Sequence, residues 1–341
     1  MRPRRWIALS FAAFAAGCAA PWSPEQARWE LLPCGVSASL RGLAPVSGQV
    51  CYVGGSGGTL RKTTDGGATW RDVAPADGAS CDFRDVEAVG RDVVVALVAG
   101  APARLYRSED GGVSWRTVHE DPRPGAFFDA VAFDGDRGVV FGDAIDGRFV
   151  LLTTCDAGRT WQDVPRPALP APKGQEAAFA ASGTCLARGP AGFSLVTGGD
   201  ACRHVGFAPG ARPFVSALPM ARGGGSRGAF SIAWRGDHGV CVGGDYRVPD
   251  ATAGTAARTD DGGRTWTPVD AGGYRSGVAW LTDEDVLAVG SHGASWSTDG
   301  GRTFAPFGDE PFHSVARARD GAVWACGAGG RVARLAVRQR R

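Results

Sequence analysis

The residues of this chain whose types and spacing could do chemistry are carboxylates. Five aspartates, Asp65, Asp110, Asp156, Asp261 and Asp299, sit in one repeated pattern: TTDGGATW (63–70), SEDGGVSW (108–115), TCDAGRTW (154–161), TDDGGRTW (259–266) and STDGGRTF (297–304). Each has a hydroxyl two places before it, a glycine two places after it and a hydroxyl four places after it, and a Trp or Phe closes the pattern. A carboxylate so placed accepts hydrogen bonds from its own turn, and glycine accepts the positive φ that a tight turn demands. Their charge is spent on the backbone. A different pair, Asp85 and Asp129, lies near the starts of RDVEAV (84–89) and FDAVAF (128–133). Two carboxyls in matched places could act as acid and base on a glycosidic bond. GGSGG (54–58) has the spacing of G-x-S-x-G but reads as a turn between strands with no helix after it, so it is neither a nucleophile elbow nor a phosphate loop, and the sequence holds no H-E-x-x-H. It has no C-x-x-C pair and no His/Cys cluster at zinc spacing, so neither metal nor cofactor is expected.

The elements that must position these residues repeat with them. The five aspartates are separated by 45, 46, 105 and 38 residues, and the long interval is about two units. In that interval FSLVTGGDACRHVGFAPG (193–210) carries the strand and glycine pair of a unit, with ACRHVGF in place of the polar turn. Each unit opens with an apolar strand, as in RDVEAV, FDAVAF, FSIAW (230–234) and RSGVAW (275–280). A second strand ends in small residues: CYVGG (51–55), VVFGD (139–143), VCVGGD (240–245), LAVGS (287–291), WACGAGG (324–330). A third leads into the aspartate turn and a fourth begins at the aromatic. Four short strands per unit, repeated, are the pattern of a β-propeller. The closing aromatic is expected at the packing between blades. QARWELL (26–32) imitates a fourth strand, while the last unit supplies only three. The expected fold is therefore all-β: a single seven-bladed propeller over residues 29–341, closed by an N-terminal strand that completes the last blade.

Composition sets the surroundings. With 341 residues, 44% hydrophobic and 21% charged, and 52 glycines, the chain suits short strands and tight turns. Net charge is only +2, which argues against a nucleic-acid partner, and RQRR (338–341) reads as a solvated tail. MRPRR and WIALSFAAFAA (6–16) have the order of a signal peptide, expected over 1–17. AAGC then resembles a bacterial lipobox ending at Cys18, the expected lipidation site, with Ala15 where leucine is usual. Cleavage after Ala20 is the alternative. Residues 18–28 would be a tether and the protein a monomer, exported and facing the periplasm or cell envelope. Eight further cysteines are expected mostly as buried thiols, with Cys34–Cys81 the best-placed bridge.

The five turns resemble the Asp-box, or BNR, repeats of sialidases and related propellers. Over residues 29–337 the chain is also similar to BNR propellers of the photosystem II stability and assembly factor type. RGL (41–43), FFDA (127–130), GRF (147–149), AFAASGT (178–184) and VGGDY (242–246) carry that likeness. YRVP (246–249) looks like the motif by which a sialidase arginine grips a carboxylate, but it follows three of the turns instead of preceding the first.

In such a fold the starts of first strands and the ends of second strands meet on one face, opposite the aspartate turns. Starts bring Arg41, Arg84, Asp85, Asp129, Ser182, Ser231, Arg275, Ser276, His313 and Ser314; ends bring Asp143, Asp146, Arg148, Asp245, Tyr246 and His292, with Glu176 just before the fourth unit. This mixed rim around a central funnel is the candidate binding site, for a protein segment or small polar ligand. The resemblance implies a non-catalytic scaffold or binding protein that assists the assembly or stability of envelope or membrane complexes. The alternative is a glycoside hydrolase, which would ask for a deep acidic cleft and a carboxyl of raised pKa.

Overall fold

The computed structural model describes residues 23–100, 102–164 and 169–337. The expected signal peptide, Cys18 and the first part of the tether lie outside the described residues, as does the basic tail. Seven four-stranded antiparallel sheets form the propeller. Blade 1 consists of Leu40–Pro45, Cys51–Gly55, Leu60–Thr63 and Arg71–Asp72, each bonded to the next. Blades 2 to 6 repeat this order over residues 83–121, 128–163, 186–217, 227–269 and 277–308. Blade 7 takes three strands from residues 314–337, and its fourth is N-terminal Ala27–Pro33, paired with Arg331–Val337. That strand starts two residues before the boundary expected at 29. Trp29 holds the place of a closing aromatic, 4.8 Å from Phe312 and 6.1 Å from Phe307.

The apolar cores lie between neighbouring sheets. Tyr52 and Leu60 of blade 1 pack with Phe83 and Val94 of blade 2, and Val240 and Val242 of blade 5 with Val278 and Val286 of blade 6. Each fully buried side chain of this size contributes roughly 1.5–3 kcal/mol. The small residues ending the second strands follow from how blades meet. The start of a first strand, or the residues leading into it, donates an amide to the end of the preceding blade's second strand: Phe128 to Ala99 (2.6 Å), Arg275 to Gly243 (3.0 Å), Phe312 to Gly290 (3.1 Å) and Leu40 to Gly327 (3.1 Å). A Cβ at Gly54, at the end of blade 1's second strand, would lie 3.0 Å from the Phe83 carbonyl of blade 2, so a larger residue there would push two blades apart.

Two expectations are corrected. ACRHVGF does not replace the polar turn of blade 4: Arg203–Phe207 is that blade's third strand, and the turn's place is taken by residues 208–213. Cys34 and Cys81 form no bridge, because they belong to different interblade cores, and all eight described cysteines are free, seven of them buried.

The five aspartate turns behave alike. Asp110 accepts the Ser108 hydroxyl (2.8 Å) and the amides of Val113 (3.0 Å) and Ser114 (2.9 Å), while its other oxygen accepts the Ser114 hydroxyl (2.5 Å). The next residue's amide crosses to the turn between the first and second strands, as from Gly111 to Asp92 (2.8 Å) and from Gly66 to Gln49 (2.9 Å). In blades 2, 3 and 6 a cation from the preceding blade then caps that residue's carbonyl: Lys62 on Gly111 (2.9 Å), Arg107 on Ala157 (2.8 Å) and Arg258 on Gly300 (3.4 Å). The aromatics reach the same neighbour, with the Trp115 indole donating to the Val73 carbonyl (2.6 Å) and Trp70 edge-on to Trp324 at 6.3 Å.

Hydroxyl and amide donors around each turn carboxylate hold it below the usual range, to about 2 for Asp65 and Asp110. Such a group stabilises the fold fully above its unfolded pKa, near 4, and that contribution is lost as pH falls through about 2. Asp110→Ala should cost about 1 kcal/mol at pH 7, because water reaches the exposed turn amides and replaces part of what is lost. The same substitution should cost almost nothing at pH 2. Thermal melting of both proteins at the two pH values checks this, and a cost that persists at pH 2 would contradict it.

Candidate functional site

The first strands carry the site through a shared irregularity. In blades 1, 2, 3 and 5 the pairing of first and second strands skips one residue, and the skipped residues are Arg41, Arg84, Asp129 and Phe230. A bulge of this kind turns a side chain out of the sheet's alternation. All four line one pocket of about 430 Å³ at the centre of the ring. Asp143 is skipped in the same way on the second strand of blade 3 and lines the pocket too.

The segment 178–181, which precedes the first strand of blade 4, leans across this space. Arg41 of blade 1 donates to the Ala181 carbonyl (3.2 Å) and Arg84 of blade 2 to that of Ala180 (3.1 Å). Phe179 stacks on Phe230 with centroids 3.8 Å apart and planes at 10°, and Tyr274 meets Phe230 edge-on at 4.9 Å. Tyr246 completes this aromatic wall, 6.2 Å from Phe230 and 44% exposed. The pocket thus has an aromatic side, two guanidinium groups and a pair of carboxyls.

The carboxyls are the anomaly. Asp129 is 1% exposed, and neither of its oxygens has a hydrogen-bond partner; one oxygen of Asp143 is also buried and unpartnered. Burial, and then the Asp143 charge beside it, push the Asp129 carboxyl well above its usual range, against the Arg84 charge and the Ala180 amide, which lies near the carboxyl but outside hydrogen-bonding geometry. Burial raises Asp143 to about 6. His313 donates from Nδ1 to the Leu40 carbonyl (3.0 Å); burial, then the Arg41 charge, lower it to about 4, so it is neutral at pH 7.

Of the expected rim residues, the structure brings together Arg41, Arg84, Asp129, Asp143, Tyr246 and His313 in this pocket. Asp85 is not at the rim. It is the residue after the bulge, buried, and accepts the amides of Val86 (2.9 Å) and of Val131 in blade 3 (2.8 Å). Asp129 therefore corresponds to Arg84, and the acid–base pair imagined from Asp85 and Asp129 does not form. Ser231, Ser276 and Ser314 stitch neighbouring blades, bonding the Val278 amide (3.0 Å), the His313 carbonyl (2.8 Å) and the Arg41 carbonyl. Glu176 is buried against Arg203 (2.6 Å) and Thr197 (2.6 Å), and Arg275 against Ser295 (2.7 Å). Asp245 pairs with Arg227 (2.8 Å). Asp146 and His292 are exposed on hairpins, and Arg148 lines a separate cavity of about 240 Å³ with Arg123 and Asp163. The sequence reading missed Phe127, Phe179, Phe230 and Tyr274, although FFDA and AFAASGT had marked two of these places.

A larger cavity of about 760 Å³ lies between the outer edges of blades 3 and 4, lined by Leu151, Val164, Leu169, Phe207 and Val215. Among the described residues only Thr153 and Arg212 bring polar side chains to it, so the central pocket, with its arginines and carboxyls, is the better candidate. Among the described residues no cluster of His, Cys, Asp or Glu could hold a metal ion, and no helix is long and apolar enough to cross a membrane.

In sequence the chain matches no described family and no curated protein. In structure it is similar to YCF48 bound to D1 peptide, at 19% identity and TM-score 0.63, over 92% of this chain and 95% of that one. YCF48 from Cyanidioschyzon merolae is similar at 18% identity and TM-score 0.65, covering 90% and 98%. Streptogramin B lyase is similar at 11% identity and TM-score 0.61, covering 93% and 100%. A fold shared by an enzyme and a peptide binder shows the propeller, and the site must carry the function.

The carboxyl pair should cost the fold stability when ionised. Its folded pKa values lie above the unfolded ones, so its favourable contribution is present at low pH and is lost as pH rises through about 6 for Asp143. Asp129→Asn should therefore melt above the wild type at pH 8, by roughly 1–2 °C for each kcal/mol relieved in a chain this long. The difference should shrink towards pH 4. Equal melting at pH 8 would mean that the ionised pair costs the fold nothing.

Proposed function

We propose that this chain is a non-catalytic binding propeller whose central pocket holds a segment of another protein, in the assembly or upkeep of a membrane complex. The observation that carries this reading is the meeting, in one pocket, of two guanidinium groups with a wall of four aromatic rings. Arginine and aromatic rings are the usual anchors of protein recognition, and a preformed concave site limits the ordering cost of binding. Binding of D1 peptide by the similar YCF48 propeller supports it. In this proposal the protein is exported, monomeric and held in the envelope by a lipid on Cys18.

The double variant Arg41→Gln, Arg84→Gln should weaken capture of envelope proteins by the tagged full-length chain at least tenfold, with captured partners identified by mass spectrometry. Wild-type capture should also fall as salt is raised, since charged contacts are screened. Specific capture that is indifferent to both substitutions would place the binding surface elsewhere. Cys18→Ala should move the protein from the membrane to the soluble fraction, or block its processing. An unchanged distribution would remove the anchor from the proposal.

One observation keeps the hydrolase as a second reading. Asp129 and Asp143 meet the demand for a carboxyl of raised pKa, with Asp129 as acid and Asp143 as its partner. The two arginines beside them make the pocket mixed instead of acidic. Turnover of sialosides or common glucans by the purified protein, abolished in Asp129→Asn, would replace the binding reading with this one.

A further inference from the structure

The buried carboxylates of this propeller divide into those that are satisfied and those that are not. Asp85 has two amides, Glu176 has Arg203 and Thr197, Asp121 has Arg123, Asp245 has Arg227, and Asp285 has the Trp296 indole (2.8 Å) and the Thr282 hydroxyl (2.7 Å). Among the described residues only Asp129 and Asp143 keep buried carboxylate oxygens without a partner, and both line the central pocket. A buried polar group left unpaired is costly to the fold, and more so if charged, so such a pair calls for an occupant. Arg84 acts on Asp129 by its charge but makes no hydrogen bond to it. Arg84 turns its Nε to Asp82 (2.6 Å) and its Nη1 to the Ala180 carbonyl.

We propose that Asp129 and Asp143 together receive one cationic side chain, a lysine ammonium or an arginine guanidinium, which the bound segment inserts into the pocket. Both carboxyls are set on bulges, which is what aims them at the same space. Two carboxylates can grip a guanidinium or ammonium through charge-assisted hydrogen bonds. Phe230, Tyr246 and Tyr274 line the same pocket and offer rings to the cation and to its aliphatic stem. The inference rests on the segment-binding reading only for how the cation is delivered.

Proton balance makes the idea measurable. Arg41 and Arg84 on blades 1 and 2, Asp85, the buried Cys185 thiol of blade 4, Tyr246, Tyr274 and His313 are the titratable and charged groups around the pair. At neutral pH a pair of this kind shares a proton, because two adjacent carboxylates in a dry site do not both ionise. An arriving cation favours the doubly ionised form and sends that proton to solvent. Affinity for the cation should then rise with pH between 5 and 8, the range in which Asp143 titrates at about 6.

The test uses the full chain with n-butylguanidinium chloride, and n-butanol as the uncharged control. NMR should show n-butylguanidinium binding in the pocket at pH 8, at least tenfold more weakly at pH 5, with butanol absent. Calorimetry in two buffers of different ionisation enthalpy should show about one proton released. Asp129→Asn and Asp143→Asn, both expected to fold, should abolish binding and release. No binding at pH 8, or binding that survives both substitutions, overturns the proposal. Captured partner segments, synthesised as peptides, separate the two readings. Peptides that need Arg41 and Arg84 yet tolerate replacement of every lysine and arginine by leucine would remove the cation receptor and keep the segment site. Binding of n-butylguanidinium with proton release, and no peptide bound, would do the reverse.

Discussion

Seven sheets can share one axis only if their inner strands approach with nothing between them but backbone. The amide-to-carbonyl bonds from Phe128 to Ala99, Arg275 to Gly243, Phe312 to Gly290 and Leu40 to Gly327 are that approach, and they exclude side chains from the points where blades meet. Everything farther out can be looser. Apolar residues fill the wedges between sheets, and on the opposite face the polar turns of blades 2, 3 and 6 are capped by a cation from the preceding blade. The fold is therefore clamped at both faces and packed in between.

The same close approach creates the pocket. First strands converge on the axis, and a regular strand would send alternate side chains into its two neighbours. A bulge near the start of four of these strands breaks the alternation and delivers Arg41, Arg84, Asp129 and Phe230 to the middle. The residue after each bulge returns to the interblade contact, which is why Asp85 and Ser231 serve the neighbouring blade's amides. Structural and functional polar groups thus sit side by side in sequence and point in different directions.

This explains what could be read from the sequence. The blade count, the closing strand and the structural use of the turn aspartates follow from a repeat that any one copy makes visible: glycine at a forced φ, a hydroxyl in reach, an aromatic at the end. The rim was legible as a set, because topology alone gathers strand ends. Its inner geometry was not. Asp85 and Asp129 look equivalent beside their apolar runs, yet a one-residue irregularity exchanges their faces. The segment 178–181 was equally hidden, since the carbonyls that hold it to Arg41 and Arg84 carry no side-chain signature. That blade 4 lacks the aspartate turn was legible, but not that its turn falls at 208–213, after a third strand over Arg203–Phe207.

The strand that closes the ring also sets a direction. Ala27 pairs with Val337, at the end of the last blade's third strand, so the chain enters the propeller on the face of the polar turns. The pocket opens on the other face. A lipid on Cys18, as proposed, would have nine residues before this strand, a reach of at most about 30 Å. The propeller would then stand on its turn face like a cup on its base. Its opening would look away from the membrane that holds it, towards segments arriving from the aqueous side or from the ectodomains of neighbouring complexes.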